Sequence, residues 1–531
     1  MRRTSIVATF AALAACSSSS GGSAPTTPGA DEVPTARVFS TSRAGDAMRE
    51  GVLEAATGEG DVLITVHPER ERQRFFGIGS SLTQSSAAAL AQISPAKRAE
   101  VLAETFGSEG AAFALSRTHI ASSDFSEESY VYVPEPDPSL ESFTIQPDRD
   151  NGLLQLIQDA RRTAGADFRM ISSPWSPPPW MKDNGKLYDP ENRTGGHLLP
   201  EHYGTFARYF VKYLEAYAAE GIDVWAITPI NEPQGNAGNW ESMHMSPEEQ
   251  RDFMRVLGPT LREAGLDTRV LIFDQNRAEM PEYTEAIHGD AEAGQHTFGT
   301  AVHWYNSTFK VYEDVLDAEH ARHPDKAIIQ TEGTIDSMSA ESSCNGVCLE
   351  QPCGCEELYV WWQNDAWYWE KEATDWGWDW APPEQRADHP KYSPAFRYAR
   401  DIVVGMAHWI AGWVDWNVVL DKRGGPNHVS NFCLAPVMVD GPTDTVYYSP
   451  TFFILKQLSR TSRPGGVVLE TEVEGPEGVH ATAIRNPDGS VAVHVFSEAE
   501  ADVSGVVDVG GRRFALPTPA ASLQTVLIEP G

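Results

Sequence analysis

Between Phe76 and Asp440 the chain repeats one unit, a short apolar run followed by a longer amphipathic stretch. The apolar runs are Phe113–Thr118, Phe168–Ser172, Val224–Pro229, Val270–Asp274, Thr300–His303 and Ala327–Thr331. Helical periodicity marks Ser94–Thr105, Gly152–Thr163, Tyr203–Ala219, Pro247–Glu263 and Ala395–Ala411. Apolar strands that recur with a helix between them are the pattern of parallel sheets, because a parallel pair needs a long crossover connection. The expected fold is therefore α/β, a (β/α)8 TIM barrel over residues 76–445. A doubly wound open sheet is the second fold that the pattern allows.

The flanks read differently. Val62-Leu63-Ile64-Thr65-Val66 is strand-like, and residues 37–75 as a whole contain short alternating segments. After Val446 the chain turns β again: His480–Ile484 and Val491–Phe496 enclose Asn486-Pro487-Asp488-Gly489, a hairpin turn signal. An attached all-β side domain, formed jointly by N-terminal strands (37–75) and C-terminal strands (446–531), is expected. A chain of 531 residues suits one large domain and one smaller.

The first 36 residues are set apart from both. Arg2 and Arg3 precede the apolar stretch Ile6–Ala15, which is too short to span a bilayer as a mature helix. It ends Leu13-Ala14-Ala15-Cys16, which resembles a bacterial lipobox. The expectation is a signal peptide over 1–16 with lipidation at Cys16, then a Ser/Gly/Thr/Pro-rich tether over 17–36. An ordinary signal peptide with an incidental cysteine is the other reading. The protein is expected to be exported, as a cell-surface or outer-membrane/periplasmic lipoprotein that meets the membrane through this anchor alone. A net charge of −34 argues against nucleic acid as a partner, since a phosphate backbone needs a basic surface.

In a (β/α)8 barrel the chemistry sits where the strands end. One strand candidate runs into Pro229-Ile230-Asn231-Glu232-Pro233 and another into Gln330-Thr331-Glu332-Gly333. A carboxylate at the end of an apolar strand is partly desolvated, which is costly unless it has a partner or a task. Two of them meet the needs of glycoside hydrolysis: one protonates the leaving oxygen, the other attacks the anomeric carbon or activates water. No cofactor and no metal is needed for that. Asn231 is placed to reach both a sugar hydroxyl and the nucleophile.

Several separate runs then resemble glycoside hydrolase family 30, most closely its glucosylceramidases. They are Arg117 with Ser122-Ser123-Asp124-Phe125; Ser173-Pro174-Trp175 through Trp180 to Gly185; Asn231-Glu232-Pro233; Ala301-Val302-His303-Trp304-Tyr305; Thr331-Glu332; Asp415-Trp416-Asn417; and Gly424 to Asn427 with Asn431-Phe432. The resemblance implies a barrel with a β side domain and a retaining exo-β-glucosidase. It implies Glu232 as acid/base and Glu332 as nucleophile. Asp124 and Trp175 match residues that hold the glucose 4-OH and 6-OH, Asn231 the partner of the 2-OH, and Trp416 and Asn431 further glucose contacts. His303 and Tyr305 match residues that flank the nucleophile, and Arg117 a supporting arginine. The substrate implied is a β-glucoside or glycolipid. A β-1,6-glucanase lies within the same family, and a non-catalytic surface glycan-binding lipoprotein is the reading from another class.

One segment departs from the family pattern. Residues 336–385 form a long insertion after the nucleophile strand, with Cys344, Cys348, Cys353 and Cys355 and seven tryptophans. In an exported protein two disulfides are expected of such a cluster, a metal site being the alternative. The insertion reads as a rim that shapes the aglycone side, or as a lid packed on itself. His320 and His323 are expected at the surface. Gly77-Ile78-Gly79 could open a dinucleotide-binding turn, but Leu82 stands where that fingerprint needs its third glycine.

Overall fold

The computed structural model describes residues 35–530 apart from 236–237, 309, 335–391, 430 and 432. Cys16 and its lipobox, the tether, and the four-cysteine, tryptophan-rich insertion lie outside the described residues.

The chain begins in the side domain with β1 (Ala36–Ser42), β2 (Arg49–Leu53) and β3 (Val62–Arg74). It then supplies the eight barrel strands: β4 (Ile78–Ser80), β5 (Leu115–Ile120), β6 (Arg169–Pro174), β7 (Ala226–Ile227), β8 (Arg269–Asn276), β9 (Gly299–His303), β10 (Ala327–Glu332) and β11 (Ile410–Asp415). All their pairings are parallel, in sequence order from β5 to β11 and on to β4. The seam between β4 and β5 is closed by Ala114 N–H to the Ile78 carbonyl (3.0 Å) and Leu82 N–H to the Arg117 carbonyl (2.7 Å). The molecule is thus a TIM barrel, and the open-sheet alternative is excluded.

The barrel interior alternates large and small side chains. Leu115, Ile171, Leu271, Ile329 and Val414 interleave with Ala226, Ala301 and Ala411, all buried, so the base of the barrel is packed rather than open. Phe76, Trp225 and Phe298 close its N-terminal mouth, with ring centroids 5.1–5.6 Å apart. Polar residues are thereby confined to the other end.

Three local expectations are corrected. The helix expected over Ala395–Ala411 ends at Ala407, and Ile410 opens β11; a buried parallel strand is as continuously apolar as a buried helix, so periodicity cannot separate them. Gly77-Ile78-Gly79, already a poor match to a dinucleotide-binding turn, leads into the first barrel strand, where Gly79 packs against the backbone of Leu115. Pro450–Thr461, read as part of a β segment, is a helix. His320 stacks on Trp409 and His323 is largely buried beside Glu319, so neither is a freely exposed surface residue.

After the short strands β12 (Val419–Asp421), β13 (Val437–Asp440) and β14 (Thr445–Tyr448), the chain completes the side domain with β15 (Val467–Glu474), β16 (Val479–Arg485), β17 (Val491–Ser497), β18 (Val503–Val509), β19 (Arg512–Thr518) and β20 (Ser522–Ile528). The nine-stranded order is β19-β18-β3-β15-β16-β17-β20-β1-β2, so the N-terminal strands join the C-terminal sheet as expected. Its two edges meet: Ala56 N–H donates to the Arg513 carbonyl and Ala515 N–H to the Glu54 carbonyl, at 2.9 and 3.1 Å. Folding the sheet onto itself in this way protects both edges and encloses a Val/Ile/Leu core.

Candidate active site

At the C-terminal end of the barrel the apolar layers give way to a layer of charge. Arg117, on β5, has no solvent exposure. Its guanidinium donates to Glu332 Oε2 (2.6 Å), Asp274 Oδ2 (2.8 Å), Asn231 Oδ1 (2.7 Å) and Ser173 Oγ (3.2 Å). A buried cation is tolerable only with such partners. Cζ of Arg117 also stands 4.9 Å from the ring centre of Trp175 and 5.6 Å from that of Trp416. These two tryptophans stack at 5.2 Å, and both are buried.

Glu332 ends β10 and Glu232 follows β7. One carboxylate oxygen of each lies within 4.8 Å of the other, with a ring nitrogen of His303 inside the same distance. Tyr305 Oη donates to Glu332 Oε1 at 3.0 Å. Burial is the largest influence on the Glu332 carboxyl and pushes it above the usual range, against the pull of His303 and Arg117. For His303 burial alone would lower the imidazole. The Glu332 charge, with hydrogen bonds to Asp274 and Glu232, overrides it and raises the group to about 9. The imidazolium therefore donates from both nitrogens, Nδ1 to Glu232 (3.1 Å) and Nε2 to Asp274 (3.0 Å).

Asp124 and Asn431 stand together, Nδ2 of the asparagine donating to Oδ2 of the aspartate at 3.1 Å. Burial, then the Glu332 charge, raises the Asp124 carboxyl well above its ordinary value. Asp124 Oδ1 and Asn431 Oδ1 are buried with no hydrogen-bond partner among the described residues. Buried polar atoms are rarely left so, and two on one pair suit a ligand rich in hydroxyls. Behind them Glu241 accepts from Ser122 Oγ (2.7 Å) and lies 3.4 Å from His428 Nε2, which secures the loop that carries Asp124.

The structure thus gathers Arg117, Asp124, Trp175, Asn231, Glu232, His303, Tyr305, Glu332, Trp416 and Asn431 at one end of the barrel; of the expected site residues, only Cys16 falls outside the description. It adds one that the sequence reading passes over, Asp274. This carboxylate ends the apolar run Val270–Asp274, the very placement that singles out Glu232 and Glu332. It accepts from Arg117, Ser173 and Thr228 on Oδ2, and from Thr331 and His303 on Oδ1, all within 2.6–3.0 Å. Burial opposes its charge, but Arg117 and His303 prevail and hold it far below the usual carboxylate range.

Backbone irregularity aims these groups. Phe273 and Asp274 both have left-handed φ (72° and 74°) where the β8–β9 register shifts, and the β9–β10 register shifts between Gln330 and Glu332. Such bulges re-aim side chains at barrel rims. Glu232 also lies at positive φ (46°), and its N–H is held by the Asp274 carbonyl at 3.0 Å. Strain of this kind persists only where the surroundings enforce it.

Known proteins resemble this one along nearly the whole described chain. Mus musculus lysosomal acid glucosylceramidase is 29% identical over 476 residues, 88% of this chain and 83% of that protein. An endo-1,6-β-D-glucanase of Neurospora crassa is 28% identical over 445 residues, 81% of this chain and 79% of its own. Among solved structures, SrfJ from Salmonella typhimurium superposes with a TM-score of 0.79 at 24% identity, covering 94% of this chain and all of its own. An endo-β1,6-glucanase superposes with a TM-score of 0.76 at 25% identity, with the same coverage. The glycosyl hydrolase family 30 TIM-barrel domain matches residues 75–350 and 371–461, and the family's β-sandwich domain matches 465–526. With the barrel, the side domain and the strand-end carboxylates all in place, the chain belongs to glycosyl hydrolase family 30 and is a glycoside hydrolase.

Proposed function

We propose that the chain is a retaining exo-β-glucosidase of the glucosylceramidase type, with Glu332 as nucleophile and Glu232 as acid/base. The observation that carries this reading is the approach of the two carboxylates to within 4.8 Å. Inverting pairs stand about 6.5–9.5 Å apart to admit a water, whereas retaining pairs stand about 5–5.5 Å apart.

The charges around them support a double displacement. Arg117 and His303 carry two positive charges, balanced by Asp274 and Glu332 when Glu232 holds its proton. Glu232 gives that proton to the leaving oxygen while Glu332 attacks the anomeric carbon. Glu332 is then a neutral ester and Glu232 a carboxylate, so the cluster is balanced again, with the negative charge moved to the group that must next deprotonate water. Uncompensated charge is costly in a buried site, and neither step creates any. The Trp175–Trp416 stack offers an apolar face to a pyranose, and Asp124 with Asn431 offers acceptors to its hydroxyls.

Replacing Glu232 by Ala is expected to abolish turnover of substrates with poor leaving groups and to spare activated aryl glucosides, whose departure needs little protonation. Azide should restore the rate and yield a β-glucosyl azide. Equal losses on both substrate types without rescue would refute the assignment. Similarity to the Neurospora crassa enzyme favours a second reading, an endo-β-1,6-glucanase. A panel of glucosylceramide, aryl β-glucosides and β-1,6-glucan separates the two.

The lipobox at Cys16 supports a membrane-tethered, exported enzyme placed where glycolipid substrates lie. Cys16→Ser is expected to move the protein out of the membrane fraction, and unchanged fractionation excludes the anchor.

A further inference from the structure

On the rim of the barrel, outside the charged cluster, His197, His244 and Glu249 converge. One ligating atom of each lies within 4.8 Å of those of the other two. They come from three separate places: the loop after β6, the loop after β7, and the first turn of the helix Pro247–Glu263. No linear spacing announces them, and the proximity exists only in the fold.

Each is positioned by backbone contacts that do not involve the other side chains of the trio. His244 N–H donates to the Gly196 carbonyl (2.8 Å), which pairs the two histidine segments side by side. Asp183 N–H donates to the His197 carbonyl (3.0 Å), and His197 N–H returns to Asp183 Oδ1 (2.8 Å). Glu249 forms a capping box with Ser246: its Oε2 accepts from Ser246 N–H at 2.7 Å, and its own N–H donates to Ser246 Oγ. The result is a rigid frame with its donor atoms turned inward. Glu249 Oε1 lies 2.9 Å from His197 Nδ1, and Glu249 Oε2 lies 3.9 Å from His244 Nδ1. His244 Nδ1 is buried and has no hydrogen-bond partner among the described residues. The three side chains remain about one-third to two-fifths exposed, which leaves an open approach from solvent.

We propose that this trio is a binding site for one divalent transition-metal ion of the zinc class. Two imidazoles and one carboxylate are a common zinc donor set, and water completes the shell on the exposed side. On binding, the Nδ1 proton that His197 shares with Glu249 is released to solvent, and Nδ1 and the carboxylate oxygen each bind the metal in its place. The site is separate from the reacting carboxylates, but His244 is also bridged to Gln234, two residues beyond Glu232. The ion therefore pins the loop that carries the acid/base to the loop after β6.

The test uses the full chain, stripped with a chelator and titrated with Zn²⁺ and with Co²⁺. Wild type is expected to bind one more equivalent than the His197→Ala/His244→Ala double variant. The difference spectrum should show cobalt d–d bands without thiolate charge transfer, which distinguishes this site from any metal held by the four clustered cysteines. Zn²⁺ should raise Tm in wild type by more than in the double variant. Glu249→Gln, which keeps the cap shape, should weaken Zn²⁺ binding about tenfold or more. Equal stoichiometry in wild type and double variant overturns the proposal, as does a difference spectrum carrying thiolate bands. Should the double variant fail to fold, Glu249→Gln alone decides, and unchanged affinity overturns the site.

Discussion

Asp274 receives five donors and touches no solvent, and together with the Glu332 charge, the larger influence, it holds His303 as a cation in a place where burial alone would discharge it. This coupling has a consequence for pH. The imidazole stands at about 9 in the folded protein, against about 6.5 in an unfolded chain. A group raised on folding contributes stability that is complete below its unfolded value and is lost as pH climbs through its folded value. Wild type should therefore lose more stability than His303→Gln between about pH 6.5 and pH 9, as read from urea midpoints at several pH values. Parallel pH profiles for the two proteins would show that His303 is not the cation.

Among the elements, β4 is the shortest part of the seam that closes the barrel, and it works because Gly79 has no side chain. An added Cβ would collide with the carbonyl oxygen of Leu115. Gly79→Ala should cost about 1–3 kcal/mol or more, the range of overpacking, visible as a lowered denaturant midpoint; an unchanged midpoint would mean that the seam can open without penalty. The same strand shows what a sequence conceals. Six of the eight barrel strands stand out as apolar runs between helical stretches, but Ile78–Ser80 is too brief for any period, and Ile410–Asp415 merges with the helix before it. Asp274 escapes for another reason: its environment is made by Arg117, Thr331 and His303, which are distant in sequence. Glu232 and Glu332 are legible because each follows an apolar strand within a distinctive run. The bulges that aim these groups leave no mark, since Phe273 and Asp274 are ordinary residue types forced to positive φ by their neighbours.

At the scale of the whole molecule, one buried glutamine on the helix Pro450–Thr461 fastens that helix to the side domain. Gln457 Nε2 donates to the carbonyls of Phe39 and Leu523 and to Thr525 Oγ1, and its Oε1 accepts from Thr41. Two helical residues further on, Ser459 Oγ lies 3.3 Å from the Ile78 carbonyl of the first barrel strand. Gln457→Leu removes these four buried hydrogen bonds, at about 1 kcal/mol each. Calorimetry should show a lower Tm and a broadened or split transition, and an unaltered single peak would refute the coupling. The pairing of Arg37 with Leu527 and of Ser42 with Ser522 has a consequence in time. A ribosome makes β1 first and β20 last, so the earliest strand waits through the synthesis of the entire barrel before its C-terminal partner exists. Until then β1 has only β2 beside it and β3 has neither of its neighbours, so both keep apolar faces uncovered, the kind of surface on which nascent chains stick to one another. The barrel can mature in order as it emerges; the side domain can only be assembled at the end, from a beginning that has been kept in reserve.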